Sequence, residues 1–145
     1  MRIAVLADTH DHCPAGLPGR LRGAEEIWHL GDVCDRATLA GLEQLGLPVR
    51  VVLGNCDSDP AWPAELRLER AGVRCLLVHV PPAKTPRDAD LVLHGHTHVP
   101  RDETDPRGVR WLNPGCISRP RGGHPPSFAW LELAPGRVDW RLVPL

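Results

Sequence analysis

The chain has 145 residues, of which 42% are apolar and 24% are charged, so we expect one domain over residues 1–145 with one sizeable core. Its formal net charge of −1 makes long nucleic acid an improbable partner and gives no attraction to an anionic membrane.

No apolar run approaches the ~20 residues of a membrane-spanning helix, and "MRIAVLAD" is too short for a signal-peptide core. We therefore expect a cytoplasmic protein. The five cysteines contain no CxxC pair, which argues against a disulfide framework and a thiolate zinc site.

The predicted elements begin with two short apolar strands, "RIAVLAD" and "AEEIWHLGD", each ending in an acid. "DRATLAGLEQLG" predicts an amphipathic helix, because it opens with an acid, repeats leucine at helical spacing and ends in glycine. Three further strands follow in "LPVRVVLGNCD", "VRCLLVH" and "DADLVLHGHTH". "GVRWLNPG", "SFAWLEL" and "RVDWRLV" predict late strands, and the last two alternate as antiparallel strands do. This order predicts a mixed α/β domain with more than one sheet.

Polar residues with metal-ligand chemistry follow five of these apolar segments: Asp8, His10, Asp32, Asn55, His79, His96 and His98. The carboxyl ends of strands in α/β sheets gather at one edge, where sites form. Residues i and i+2 of an extended segment face the same way, so Asp8 with His10, and His96 with His98, should each converge. Carboxylate, amide oxygen and imidazole donors suit Mn, Fe, Zn or Ni. Seven such ligands are too many for one ion and about right for two ions that share a carboxylate.

The motifs "DTH", "GD", "GNCD", "H" and "GHTH", in this order, resemble those of the calcineurin-like metallophosphoesterases. The "GNCD" form and the closing "NPGCISRPRGGHPPSFAWLEL" are most similar to the YfcE-type phosphodiesterase branch. The resemblance implies an α/β sandwich of two mixed β-sheets flanked by helices. It also implies hydrolysis of phosphate esters, with diesters as the expected substrates, by attack of a metal-bridging hydroxide. Because oxygen and imidazole ligands admit several ions and availability decides among them, Mn²⁺ is the expected ion, with Ni²⁺, Zn²⁺ or Fe²⁺ as alternatives.

The resemblance also divides the ligands between two ions. It implies that Asp8, His10 and His98 hold one ion. Asn55, His79 and His96 would hold the other, and Asp32 would bridge the two. The expected catalytic set is Asn55, Cys56 and Asp57.

Two residues depart from the family pattern. Where this chain has Cys56, many members of the superfamily carry a histidine that would serve as the acid for the leaving group. A thiol is a poorer charge-assisted donor than an imidazolium. Val80 replaces the glycine that usually follows the ligand histidine, and the loop from Val80 to Asp90 is short for the family. Because of these departures, the sequence does not identify the substrate. Asp57 is retained and could orient a ligand or a water.

Other readings remain open at this point. The chain is compatible with a phosphomonoesterase, a nuclease for short oligonucleotides, or a binding scaffold such as the retromer subunit of this fold. Arg119, Arg121 and His124 would contact a substrate phosphate, a neighbouring subunit or solvent, so a homo-oligomer stays among the alternatives. We expect His29 and His94 to be packed residues or to support the ligands. We expect His12 to be solvated and Asn113 to form a turn near the site.

Overall fold

The computed structural model describes all 145 residues. The chain forms ten strands in two five-stranded sheets. The first sheet contains β1 (Arg2–Leu6), β2 (Glu26–His29), β3 (Val49–Val51), β9 (Ser127–Ala134) and β10 (Arg137–Pro144). The second contains β4 (Glu65–Arg70), β5 (Val73–Val78), β6 (Leu91–Leu93), β7 (Arg101–Thr104) and β8 (Arg110–Asn113). The strand orders are β10-β9-β1-β2-β3 and β4-β5-β6-β8-β7.

Both sheets are mixed, which confirms the predicted fold class. Strands β1, β2 and β3 run parallel, as do β5, β6 and β8, whereas β9, β10, β4 and β7 pair antiparallel at the margins. The antiparallel pairing predicted for "SFAWLEL" and "RVDWRLV" is thus confirmed. The parallel strands bring their carboxyl ends to one edge of the sandwich.

Alternation along the strands builds the layers of the core. Ile3 and Val5 of β1 face Leu77 and Leu93 of the second sheet, in a fully buried cluster between the two sheets. Leu6, on the opposite face of β1, packs in a second cluster beneath the helical segments. A third, smaller cluster lies on the outer face of the second sheet and includes Val92 and Trp111.

The helices are shorter than the sequence predicts. The segment after Asp35 forms a 3₁₀ turn over Arg36–Leu39 and a single α-helical turn, α2, over Ala40–Glu43. The start signal is right, because the Asp35 carboxylate accepts a hydrogen bond from the Ala37 N–H at 2.8 Å. The predicted twelve-residue helix is wrong in length, and Gly41, a weak helix former, lies in its middle.

Three elements were not predicted: α1 (Leu17–Arg20), β4 and β7. Strands β4 and β7 read "ELRLER" and "RDET" and lie at the margins of the second sheet. Most of their charged side chains point to solvent, but Arg70 is half-buried and pairs with Glu26 at 3.0 Å. Both helices pack on the first sheet alone, and no helix occurs between residues 80 and 90. None of the helices could span a lipid bilayer.

Candidate metal centre

The predicted ligands lie in tight loops just beyond the parallel strands. β1 ends at Leu6, and the next residues include Asp8 and His10 with φ of 57° and 44°. His96 and His98 follow β6 with φ of 67° and 61°. The expectation of extended i, i+2 pairs is therefore wrong in its geometry. The side chains converge because left-handed turns, rather than strand pleating, aim them at one point.

Glycine allows two of these loops to touch. A Cβ atom on Gly31, whose φ is 88°, would lie 2.8 Å from the backbone nitrogen of Gly54 and from His79 Nδ1. A Cβ on Gly54 would overlap the backbone nitrogen and carboxylate of Asp32. The "GD" and "GN" motifs thus need glycine so that the two loops can approach closely.

Four of the predicted ligands form one group: Asp8, His10, Asp32 and His98, whose donor atoms all lie within 4.8 Å of one another. His98 Nε2 lies 3.3 Å from Asp8 Oδ1, and His10 Nε2 lies 3.3 Å from His98 Nε2. His10 Nε2 is also 3.7 Å from Asp32 Oδ2. The group offers two imidazoles and two carboxylates, a donor set that suits a divalent ion.

The other three ligands meet on the opposite side of Asp32. Asn55 Oδ1 lies 2.9 Å from both His79 Nε2 and His96 Nδ1. Asp32 Oδ1 lies 3.4 Å from His79 Nε2, while its Oδ2 atom faces His10. All seven predicted residues therefore come together, with Asp32 between the two groups.

Hydrogen bonds on the far side of the rings fix the tautomers of two histidines. His98 Nδ1 donates to the Arg119 carbonyl at 2.7 Å, and His79 Nδ1 donates to the Leu30 carbonyl at 2.8 Å. The Nε2 lone pair of each neutral ring then points into the site, as in metal-ligating histidines.

Once Asp8 is ionised, several acceptor atoms consequently face one another with no proton between them. His79 Nε2 faces Asn55 Oδ1, and His98 Nε2 faces Asp8 Oδ1, which is buried and has no hydrogen-bond partner. Such an arrangement costs free energy unless a cation lies between the acceptors. The residues present therefore fit divalent metal ions.

Burial shifts the pKa values in the site in opposite directions for acid and base. Burial, reinforced by the charge of Asp32, raises the pKa of Asp8 to about 8. Burial lowers the pKa of His10, His79 and His98 below 6.5, so these rings are neutral at neutral pH. Neutral imidazoles are the form that binds metal.

Asp57 supports the loops that carry the ligands. Its Oδ2 accepts hydrogen bonds from the backbone N–H groups of Asp32, at 2.9 Å, and Gly54, at 2.7 Å. Its Oδ1 accepts a third from the Cys34 N–H at 2.7 Å. Both carboxylate oxygens are thus engaged in joining the "GD" and "GN" loops, which is consistent with an orienting role.

Cys56 lies at the mouth of the site and does not contact the buried ligands through its thiol. Its N–H donates to Asp32 Oδ1 at 2.8 Å, and its exposed side chain lines the cleft. Partial desolvation, reinforced by the charge of Asp32, raises the pKa of the Cys56 thiol, so this group is protonated at neutral pH. Val80 is 54% exposed and has no left-handed φ, so valine causes no strain beside His79.

The ligands open into a cleft of about 460 Å³. Arg119 and Arg121 line it together with Cys56 and the accessible ligands, and neither arginine forms an ion pair. The backbone N–H of Arg121 donates a hydrogen bond to the His98 carbonyl at 3.1 Å, which connects the arginine loop to a predicted metal ligand. The cleft therefore combines a ligand group with two unpaired cations.

The remaining histidines lie away from the ligand group. His29 and His94 are buried, and burial lowers the pKa of each to about 4. His12 and His124 are exposed, and neither lines the cleft.

Two supporting residues escaped full notice in the sequence. The Asn113 amide donates to the Gly95 carbonyl at 3.0 Å and to Thr97 Oγ1 at 3.1 Å, so it holds the "GHTH" loop rather than only forming a turn. Cys34 Sγ lies 3.7 Å from His10 Nδ1. The only hint in the sequence that Cys34 lies near the site was its position two residues after Asp32.

Comparisons with known proteins agree with this architecture. The sequence model of the calcineurin-like phosphoesterase superfamily domain matches residues 1–136. Phosphodiesterase YfcE of Escherichia coli K12 is 31% identical over 168 aligned positions, covering 91% of this chain and 88% of that protein.

Solved structures show the same fold. An archaeal phosphodiesterase superposes with a TM-score of 0.83 at 21% identity, covering 100% of both chains. Vps29 of Entamoeba histolytica, solved with Zn²⁺, superposes with a TM-score of 0.79 at 23% identity, covering 99% of this chain and 98% of that one. The family match over nearly the whole length is decisive: the chain belongs to the calcineurin-like phosphoesterase superfamily.

Proposed function

We propose that the protein is a phosphodiesterase that uses two divalent ions to hydrolyse small phosphate diesters. The observation that carries this proposal is Asp32, whose two carboxylate oxygens face two separate groups of ligands. Membership of a phosphoesterase superfamily makes the chain a phosphoric ester hydrolase, and the similarity to phosphodiesterase YfcE supports the preference for diesters.

In this proposal the ions are held as the family resemblance implies. Asp8, His10 and His98 would hold the first ion, Asn55, His79 and His96 the second, and Asp32 both. Two such ions, when bound, supply an activated water nucleophile and offset the charge of the phosphoryl oxygens. Mn²⁺ is the proposed ion, because oxygen and imidazole donors accept several metals and availability then decides.

The chain's own residues prepare this chemistry. Burial lowers the pKa of His79 and His98 and keeps both rings neutral, and the hydrogen bonds to Leu30 and Arg119 fix which nitrogen faces the site. The Asp57 carboxylate holds the two ligand loops at a fixed separation. This preorganisation means that little rearrangement is needed when ions and substrate bind.

The open side of the cleft receives the substrate. Arg119 and Arg121 have no competing carboxylate, so their guanidinium groups are available to bind the phosphoryl oxygens. Cys56, in the same cleft, is a weak proton donor, which favours esters whose leaving groups need little protonation. A cleft of about 460 Å³ suits a small ester.

The experiment that tests this proposal compares two chromogenic substrates. Chelator-stripped protein should be inactive, and added Mn²⁺ should restore hydrolysis of bis-p-nitrophenyl phosphate more than of p-nitrophenyl phosphate. Faster release from the monoester would instead favour the phosphomonoesterase. Inactivity on both with Mn²⁺, Ni²⁺, Zn²⁺ and Fe²⁺ would contradict the proposal and favour a binding scaffold.

The cellular setting forms part of the proposal. All five cysteines are free thiols, which suits the reducing cytoplasm. A homo-oligomer stays a prediction, which sedimentation of the purified protein would test.

A further inference from the structure

A second group of donor atoms lies beside the proposed centre and has different chemistry. A ring nitrogen of His10, Cys34 Sγ and Cys56 Sγ all lie within 4.8 Å of one another, and Cys34 Sγ is 3.7 Å from His10 Nδ1. This nitrogen is on the far side of the ring from Nε2, the atom that faces Asp8 and His98. The two donor groups therefore share one imidazole and use its opposite edges.

The backbones of both cysteines are held in place. The Cys34 N–H donates to Asp57 Oδ1 at 2.7 Å, and the Cys56 N–H donates to Asp32 Oδ1 at 2.8 Å. Cys34 also adopts a φ of 71°, a conformation that residues other than glycine rarely adopt. The two thiols come from different loops, so their proximity is a product of the fold rather than of sequence spacing.

We propose that Cys34, Cys56 and His10 form a third ion site, which takes soft divalent ions such as Zn²⁺ and thereby inhibits the enzyme. Two thiolates and one imidazole are a donor set for soft or borderline ions, whereas the adjacent carboxylate-rich centre suits harder ions such as Mn²⁺. On binding, each thiol loses its proton to solvent and its sulfur donates a lone pair to the ion. The inhibitory effect rests on the proposed function, but the site itself does not.

Competition follows from the chemistry of imidazole. A neutral ring has one proton and one nitrogen lone pair, so it cannot bind two ions through both nitrogens without losing its last proton. An ion on His10 Nδ1 leaves the proton on Nε2 and removes that ligand from the first catalytic ion. Conversely, Mn²⁺ on Nε2 keeps the proton on Nδ1, next to Cys34. The two ions should therefore weaken each other's binding.

The test uses Co²⁺ as a probe, because a cobalt–thiolate bond gives a near-ultraviolet charge-transfer band that oxygen and nitrogen ligands do not give. Chelator-stripped full-length protein should show this band with one equivalent bound. Cys34→Ser and Cys56→Ser should each weaken Co²⁺ binding at this site by roughly tenfold or more. Cys13→Ser, which changes a half-buried thiol outside the site, should leave the band intact.

Competition has its own readouts. Saturating Mn²⁺ should weaken the apparent affinity for Co²⁺, measured from this band, by roughly tenfold. Zn²⁺ should abolish the band. Zn²⁺ should inhibit the Mn²⁺-loaded enzyme, and Cys34→Ser should need roughly tenfold more Zn²⁺ for the same fractional inhibition. Circular dichroism of Cys34→Ser, with Cys34→Ala as a second variant, checks that the fold is retained.

The outcomes separate this inference from the proposed function. No band in the wild-type protein, or a band that survives in both cysteine variants, would overturn the site. A band that Mn²⁺ leaves unchanged would overturn the competition for His10. A cysteine-dependent band in a protein without hydrolytic activity would support the site while removing the proposed function.

Discussion

The Nε2 atoms of His10 and His98 lie 3.3 Å apart, although 88 residues separate them in the chain. The hydrogen bond from His98 Nδ1 to the Arg119 carbonyl leaves no proton on the facing nitrogen of the neutral ring. Asp8 Oδ1 lies 3.3 Å from the same nitrogen and has no hydrogen-bond partner. When Asp8 is ionised, the fold thus gathers electron pairs at one point, at a cost in stability that a bound cation would offset.

Replacing Asp8 with Asn should stabilise the metal-free protein. Burial raises the pKa of Asp8 from 3.8 to about 8, so the folded state keeps a proton that the unfolded chain releases near pH 4. Stability from this group is complete below about pH 4 and is lost as the pH rises through 8. We expect Asp8→Asn to raise the free energy of unfolding at pH 8 by about 1–3 kcal/mol.

Urea unfolding in the presence of chelator measures this effect. Between pH 6.5 and 8.5 the wild-type protein should lose stability, and Asp8→Asn should lose much less. Asp88→Asn, which changes an exposed carboxylate, serves as the control and should follow the wild type. Equal pH slopes for Asp8→Asn and the wild type would contradict the assignment.

Replacing Asp57 with Asn should loosen the ligand loops. The variant exchanges one carboxylate oxygen for an amide NH₂ group, so it cannot accept all three backbone hydrogen bonds. We expect a loss of about 1–3 kcal/mol of stability and roughly 10–100-fold weaker Mn²⁺ binding. Isothermal titration with Mn²⁺ measures the binding, with Asp139→Asn as the control. Unchanged Mn²⁺ affinity would show that Asp57 does not position the ligands.

Replacing Cys56 with His should change the choice of leaving group. An imidazolium in this part of the cleft can protonate a departing alkoxide, which a thiol does poorly. We expect turnover of alkyl esters with poor leaving groups to rise about tenfold or more, and turnover of nitrophenyl esters to change little. Cys56→Ser controls for loss of the thiol. A Cys56→His variant with no gain on alkyl esters would count against this role.

Removing Arg119 or Arg121 should weaken substrate binding. Each guanidinium lines the cleft without an ion pair, so each variant should raise KM about tenfold with a smaller change in kcat. Steady-state kinetics measure this split, and Arg22→Ala, an exposed arginine outside the cleft, is the control. If KM is unchanged but sedimentation shows an altered oligomer, these arginines contact a neighbouring subunit instead.

The sequence was sufficient for the parts of the fold that follow from apolar runs and motif order. The buried strands ending near Asp8, Asp32 and His96 are marked by composition, and their motifs in order led to the family. The edge strands β4 and β7 were missed because charged residues dominate both: β4 has only two leucines, which pack against the core between the sheets, and three of the four residues of β7 are exposed. The helix after Asp35 was overestimated because a start and a stop signal do not fix how much of the segment between them is helical.

The geometry of the site was less accessible from the sequence. That seven ligands gather was expected, but the left-handed turns at Asp8 and His98 depend on contacts between loops distant in the chain. The role of Asp57 in joining two loops and the proximity of Cys34 to His10 are likewise tertiary effects. Local propensity carries no information about such contacts.

The most direct test of the central claim is the number of Mn²⁺ ions that the protein binds. Equilibrium dialysis should give two ions per chain for the wild type and for His12→Ala, an exposed histidine two residues from His10. His98→Ala and His79→Ala should each lose one ion and lower bis-p-nitrophenyl phosphate hydrolysis at least about 100-fold. A wild-type protein that binds a single ion, or none, would contradict a two-metal centre bridged by Asp32.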